Sequence, residues 1–95
     1  MKTKTYSFYN DPGHGWLAVK RKELVELGII DKITEYSYQR GQTVYLEEDC
    51  DAFCFIAAYT AKHGVKPTIK DIYHKKTPIR GYDSFKNLAE VLKKE

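Results

Sequence analysis

The stretch YLEEDCDAFCF, residues 45–55, sets four carboxylates and two thiols side by side in eleven residues. Its left end belongs to Thr43–Glu47, where polar and apolar residues alternate as in a strand. Its right end opens the run Phe53, Cys54, Phe55, Ile56, Ala57, Ala58, Tyr59 and Ala61, apolar on nearly every side. That pattern predicts a helix over 49–62 buried against a sheet. A strand running straight into a long buried helix makes this a chain of mixed α and β structure.

The flanking segments extend the pattern. Ile33–Tyr38 and Thr43–Glu47 bracket Gln39-Arg40-Gly41-Gln42 and predict a hairpin. With Arg40-Gly41 as a two-residue turn, Tyr38 opposes Thr43 and Tyr36 opposes Tyr45. Tyr36, Tyr38 and Tyr45 then share one face, with Val44 and Leu46 on the other. A three-residue loop with a bulge shifts the pairing and mixes the faces, and the sequence leaves the register open. Upstream, Arg21–Leu27 is a short helix that Gly28 ends in a left-handed cap, although Lys20, Arg21 and Lys22 sit at the wrong end for the helix dipole. Thr3–Tyr9 and Trp16–Val19 read as strands that pair across Asn10-Asp11-Pro12-Gly13, a strong turn signal. Downstream, His63-Gly64 ends the central helix, Thr68–Tyr73 is another strand and 77–81 is a connector. Asp83 or Ser84 then caps a last helix, with Phe85, Leu88, Ala89 and Leu92 on one stripe. The expected fold is a single α+β domain over 1–95: a small, mostly antiparallel sheet, a buried central helix and a C-terminal amphipathic helix.

Composition agrees with one globular domain. The chain has 95 residues, 42% of them hydrophobic and 31% charged, and eight tyrosines. Tyrosine suits interfaces as well as core edges. The net charge of +3 is unevenly placed. Residues 1–55 hold seven Lys/Arg against nine Asp/Glu, and residues 56–95 hold nine against four, so an acidic first half meets a basic second half. No apolar run approaches the roughly 20 residues that span a bilayer. Lys2 and Lys4 precede no apolar signal region. Residence in a cytosol, with no membrane partner and reduced cysteines, is the expectation.

The acidic run has an architectural reading and a chemical one. Negative charge at a helix start is stabilised by the dipole and by free N–H groups, about 0.3–1 kcal/mol each when exposed. Asp49 or Asp51 as the N-cap contributes about 1 kcal/mol more. Chemically, crowded like charges raise a pKa and leave a general base, and Glu47, Glu48 or Asp49 then holds a cation, a ligand or a basic partner. No HExxH, DxDxDG or two-metal spacing accompanies them, so the helix-start reading is preferred. Cys50 and Cys54 share a helix face with Phe53 and Ala57 and read as buried free thiols. They form a zinc site only if His63 or His74 converges on them.

Asp11-Pro12-Gly13-His14-Gly15-Trp16 is the most distinctive loop. Glycines let backbone N–H groups approach a ligand, and histidine serves as acid, base or ligand near neutrality. The plainer alternative is a tight turn with Trp16 in the core and His14 in water. Lys62, Lys66, Lys70, Lys75, Lys76 and Arg80, with Tyr73, His74 and Tyr82, have the composition of a phosphate-binding surface or of a merely solvated face. Within that stretch Arg80 stands apart, because a guanidinium in a tight connector bonds a carboxylate or phosphate at two points. Nucleotide-binding glycine motifs and serine-nucleophile motifs are missing.

Three stretches, DPGHGWLAV, SYQRGQTVYLEEDCDAF and PIRGY, resemble a set of small proteins encoded by bacteriophages and related mobile elements. The resemblance covers residues 6–84. It implies a bacterial cytosol during infection and a role in host takeover or counter-defence, exerted by binding. It brings no catalytic or binding residues with it.

Together these readings point to a non-enzymatic binding protein for a host protein or a small ligand, with no cofactor and no metal. The expected binding residues are His14, Trp16, Tyr36, Tyr38, Arg40, Tyr45, Glu47, Glu48, Asp49, Arg80 and Tyr82. Two other functions stay open. One is a small hydrolase using His14 with Glu48 or Asp49. The other is a nucleic-acid binder working through Lys62–Arg80. The sequence leaves the oligomeric state open.

Overall fold

Alternating residues in neighbouring strands put apolar side chains on one side of a pleated sheet, and the computed structural model, which describes residues 4–86, shows where each strand falls. β1 (Thr5–Asn10) turns back into β2 (Gly15–Lys20), and the pair is antiparallel with Phe8 opposite Leu17. Then follow α1 (Arg21–Glu26), a single 3-10 turn at Ile30–Lys32, β3 (Tyr38–Arg40), β4 (Thr43–Glu47) and α2 (Asp51–His63). β5 (Thr68–Tyr73), a second 3-10 turn at Pro78–Gly81 and β6 (Asp83–Ser84) complete the described chain. The six strands lie in the order β5-β1-β2-β4-β3-β6. Only β1 with β5 is parallel; the other pairings are antiparallel, so the class is α+β with a mixed sheet.

One face of the sheet carries Tyr6, Leu17, Val19, Val44 and Leu46. Leu24 of α1 and Ala52, Phe55 and Tyr59 of α2 pack onto it, joined by Ile29, Ile33 and Phe85. Burying a side chain such as Phe55 or Leu46, both fully enclosed here, stabilises the fold by roughly 1.5–3 kcal/mol. The opposite face presents aromatic rings. Trp16 lies 6.1 Å from Tyr38 and Tyr9 lies 6.2 Å from Tyr45, centroid to centroid. The connector between β5 and β6 covers part of this face: Tyr82 packs 5.3 Å from Tyr45, Arg80 lies over Trp16, and Thr77 and Ile79 are buried. Helices, sheet and connector thus make three layers.

α1 starts despite its three cations because Glu23 supplies the carboxylate half of a capping box. Its Oε1 accepts the Lys20 backbone N–H at 2.9 Å. The helix ends as its glycine predicts. Gly28 has φ of 71°, its N–H bonds Val25 O, and the Ile29 N–H reaches back to Leu24 O while Ile29 enters the core. Gly64, at φ of 75°, closes α2 in the same left-handed conformation.

Several expectations are corrected. Residues 33–37 do not extend a strand: β3 begins only at Tyr38, and Arg40 pairs with Thr43, so the turn is Gly41-Gln42. Gly41 has φ of 59° and, among the described residues, no non-glycine has positive φ, the pattern of a type II′ turn with glycine first. α2 is not enclosed all round. Phe53 is 70% exposed and Ala57 is exposed, so a single face packs inward. Cys50 is exposed and Cys54 half-buried, rather than both buried. Cys50 itself occupies the N-cap position, so neither Asp49 nor Asp51 does. Asp83-Ser84 pair with β3 as an edge strand instead of capping a helix. The C-terminal amphipathic helix expected to carry Leu88, Ala89 and Leu92 falls outside the described residues. Among the described residues no helix is long and apolar enough to cross a membrane.

Candidate functional site

The β1–β2 loop is built by Asp11. Its Oδ1 accepts the backbone N–H of Gly13 at 2.9 Å and of His14 at 3.0 Å, while its own N–H bonds His14 O. Arg80 grips the same carboxylate at two points, Nε to Oδ2 at 3.0 Å and NH2 to Oδ1 at 2.9 Å, and the Thr77 hydroxyl adds a third donor. The Asp11 side chain is only 4% exposed although Arg80 remains half in water. The guanidinium, followed by the backbone N–H groups, holds the Asp11 carboxyl far below the usual carboxylate range against the opposing effect of desolvation. Arg80 is raised in turn by Asp11. The two-point bond expected of Arg80 is therefore made within the chain.

The two loop glycines serve close approach, not positive φ. A Cβ on Gly15 would sit 2.3 Å from the Phe8 ring, and one on Gly13 would meet Arg80 at 2.8 Å. Trp16 is 3% exposed and His14 projects outward. The Glu48 N–H bonds Gly15 O at 3.1 Å and brings the acidic strand end against the loop. His14 Nδ1 then lies 3.9 Å from Glu48 Oε1, and the His14 and Trp16 rings are 6.0 Å apart.

A second carboxylate, Asp51, fixes the segment on the other side. Its Oδ2 accepts the Thr34 N–H, the Thr34 hydroxyl and the Ser37 hydroxyl, and Ser37 Oγ accepts the Glu47 N–H. Glu47 Oε1 takes the Cys50 N–H at 2.9 Å and so bridges to the start of α2. These bonds anchor the 34–37 turn, from which Tyr36 projects with 72% of its surface exposed.

The result is a cleft of about 240 Å³ lined by His14, Gly15, Trp16, Tyr36, Tyr38, Glu47 and Arg80. Six of the eleven residues singled out in the sequence meet here. Glu48 lines a neighbouring open hollow of about 510 Å³ together with His14, Asp11 and Tyr73. Tyr45, Tyr82 and Arg40 form an adjoining cluster, with Arg40 over the Tyr82 ring at 5.1 Å. Burial first, then the Tyr82 and Tyr9 hydroxyls, raise the Tyr45 pKa, and Arg40 opposes them. Asp49 is exposed and lines neither hollow. The basic stretch is dispersed. Lys62 lies at the end of α2, Lys70 on the edge strand and Lys75 and Lys76 on the connector, while Arg80 is committed to Asp11. Among the described residues no group of three or more His, Cys, Asp or Glu is placed to hold a metal ion.

Asp11, Thr34, Ser37, Asp51 and Thr77 organise the site and were not expected to. Asp11 stood inside a turn signal and Asp51 inside the acidic run, but the side chains that bond them are 14 to 69 residues away. No family model, curated protein or solved structure matches the chain.

Proposed function

We propose that the chain is a small binding protein, not an enzyme, that holds a segment of a protein partner in the His14–Tyr36–Glu47–Arg80 cleft. The resemblance to phage-encoded proteins sets this in a bacterial cytosol, with a host protein as the partner and host takeover or counter-defence as the outcome. One observation carries the reading: aromatic, acidic and basic side chains from four separate segments converge on one surface cleft. Tyr36 supports it further. A large ring held in water by a hydrogen-bonded turn is pre-organised to bury against a partner at small entropic cost. The test is capture from bacterial host lysate by the wild-type chain and by Tyr36→Ala, whose exposed ring is not needed for folding. A protein held by the first and lost by the second supports the reading. Equal recovery by both overturns it.

A second reading rests on the approach of His14 to Glu48. At 3.9 Å the pair is beyond hydrogen-bond length, yet a carboxylate beside an imidazole is the start of an acid–base pair. If the chain is a hydrolase, His14→Ala abolishes turnover of its substrate while the far-UV circular dichroism stays unchanged. Retained turnover in that variant removes this alternative.

A further inference from the structure

We infer that the cleft receives a cationic side chain, arginine ahead of lysine, from a basic segment of the partner. This rests on the binding reading above and gives it a chemistry.

The walls are rings. Tyr36 and Tyr38 are the accessible rings of the cleft, while Trp16 in its lining is 3% exposed and already faces Arg80, and aromatic faces attract cations through their quadrupoles. The charge balance has the same sign. The one guanidinium in the cleft, Arg80, is cancelled by its two-point bond to Asp11. Glu47 is the carboxylate that remains in the cleft, with Glu48 in the adjoining hollow, and His14 beside Glu48 is charged only when protonated. Glu47 Oε1 is occupied by the Cys50 N–H, while no described residue donates to Oε2. An anion, such as a nucleic-acid phosphate, meets those same carboxylates and is repelled.

The cleft also has the right size. At about 240 Å³ it falls below the roughly 300–1,000 Å³ typical of small-molecule sites, and it suits a single protruding side chain. The protein already uses this chemistry internally. Arg80 lies 5.6 Å from the Trp16 ring, Arg40 5.1 Å from Tyr82 and Arg21 5.0 Å from Phe85. Arginine is favoured over lysine because its planar fork lies flat on a ring while donating two parallel N–H groups to a carboxylate.

Trp16 is the only tryptophan of the chain, so its emission reports the cleft directly. The probes are capped pentapeptides, Gly-Ser-X-Ser-Gly, with X as arginine, lysine or citrulline. Citrulline keeps the shape of arginine without the charge. The arginine peptide is expected to give a saturable change in Trp16 emission, with citrulline about tenfold weaker or more. Glu47→Gln keeps an oxygen for the Cys50 N–H and is expected to weaken the arginine peptide by a similar factor. Equal binding of the citrulline peptide overturns the inference. So does an unchanged response in a folded Glu47→Gln protein, or no response to arginine and lysine peptides at millimolar concentration. If the peptides fail while Tyr36→Ala still loses the captured partner, the binding reading survives and its cationic chemistry falls. If Tyr36→Ala keeps the partner, the binding reading itself falls.

Discussion

A carboxylate out of water is costly unless donors surround it, and Asp51 has such donors. It is 2% exposed, and it accepts three hydrogen bonds from Thr34 and Ser37. Asp51→Ala leaves the buried Ser37 hydroxyl and the half-buried Thr34 donors unpaired, so a loss of about 3 kcal/mol in urea unfolding is expected. Asp11 and Glu23 add a pH dependence. Arg80, the backbone N–H groups and Thr77 pull the Asp11 pKa down. Burial opposes ionisation of Glu23, but the Tyr6 hydroxyl, the Lys20 N–H and Lys4 outweigh it and lower that pKa too. Both groups bind protons less readily in the folded chain than in the unfolded one. Their stabilisation is therefore complete above the unfolded values near 4 and is lost as pH falls below them through the folded values. Urea midpoints of wild type and Asp11→Asn are expected to differ by a constant amount from about pH 7 to 5 and to converge below about pH 4. A gap that widens in acid contradicts this assignment.

Elements defined by local signals were legible; those defined by distant partners were not. Both strands of the first hairpin, the Gly28 and Gly64 caps and α2 follow from residues within a few positions of one another. The second hairpin shows the boundary. Arg40-Gly41 and Gly41-Gln42 both place a glycine in a two-residue turn, and the observed choice slides the pairing so that Tyr38 meets Tyr45. Because this slip spans two residues, the faces survive: Tyr38 and Tyr45 stay together, with Val44 and Leu46 opposite. Residues 33–37 include the strand formers Ile33, Thr34 and Tyr36, yet Asp51 binds Thr34 and Ser37 and draws them into a turn. No local pattern announces that bond, nor the parallel pairing of β5 with β1. The site followed the same rule. Its rings and acids could be picked out singly, while Asp11 and Asp51, which arrange them, could not. The turn assignment is open to a direct check. Gly41→Ala places a methyl group at φ of 59° and is expected to cost about 1–2 kcal/mol. Gly81 has no positive φ and open space around its Cβ position, so Gly81→Ala is expected to be neutral or to stabilise by about 0.4–1 kcal/mol.

At the scale of the whole molecule, the sheet has packed side chains on both faces, and the chain itself couples them. The connector covers the aromatic face, where Ile79 is 2% exposed and Arg80 ties down the β1–β2 loop. Directly afterwards β6 pairs with β3, the Phe85 N–H bonds Ser37 O, and the Phe85 ring joins the helix-side core with Arg21 over it at 5.0 Å. The segment that closes one face is thus anchored in the other, and loss of either releases both. Trp16 reports the aromatic face by fluorescence, while the helices report the opposite one by far-UV circular dichroism. The two signals are expected to trace one urea transition with a common midpoint, as cooperative small domains do. Phe85→Ala, which empties a core position, is expected to lower that midpoint by the equivalent of about 3–5 kcal/mol with the two probes still coincident. If Trp16 becomes exposed at lower urea than the helices in the wild-type chain, the faces unfold separately. The anchoring at Phe85 would then not be what joins them.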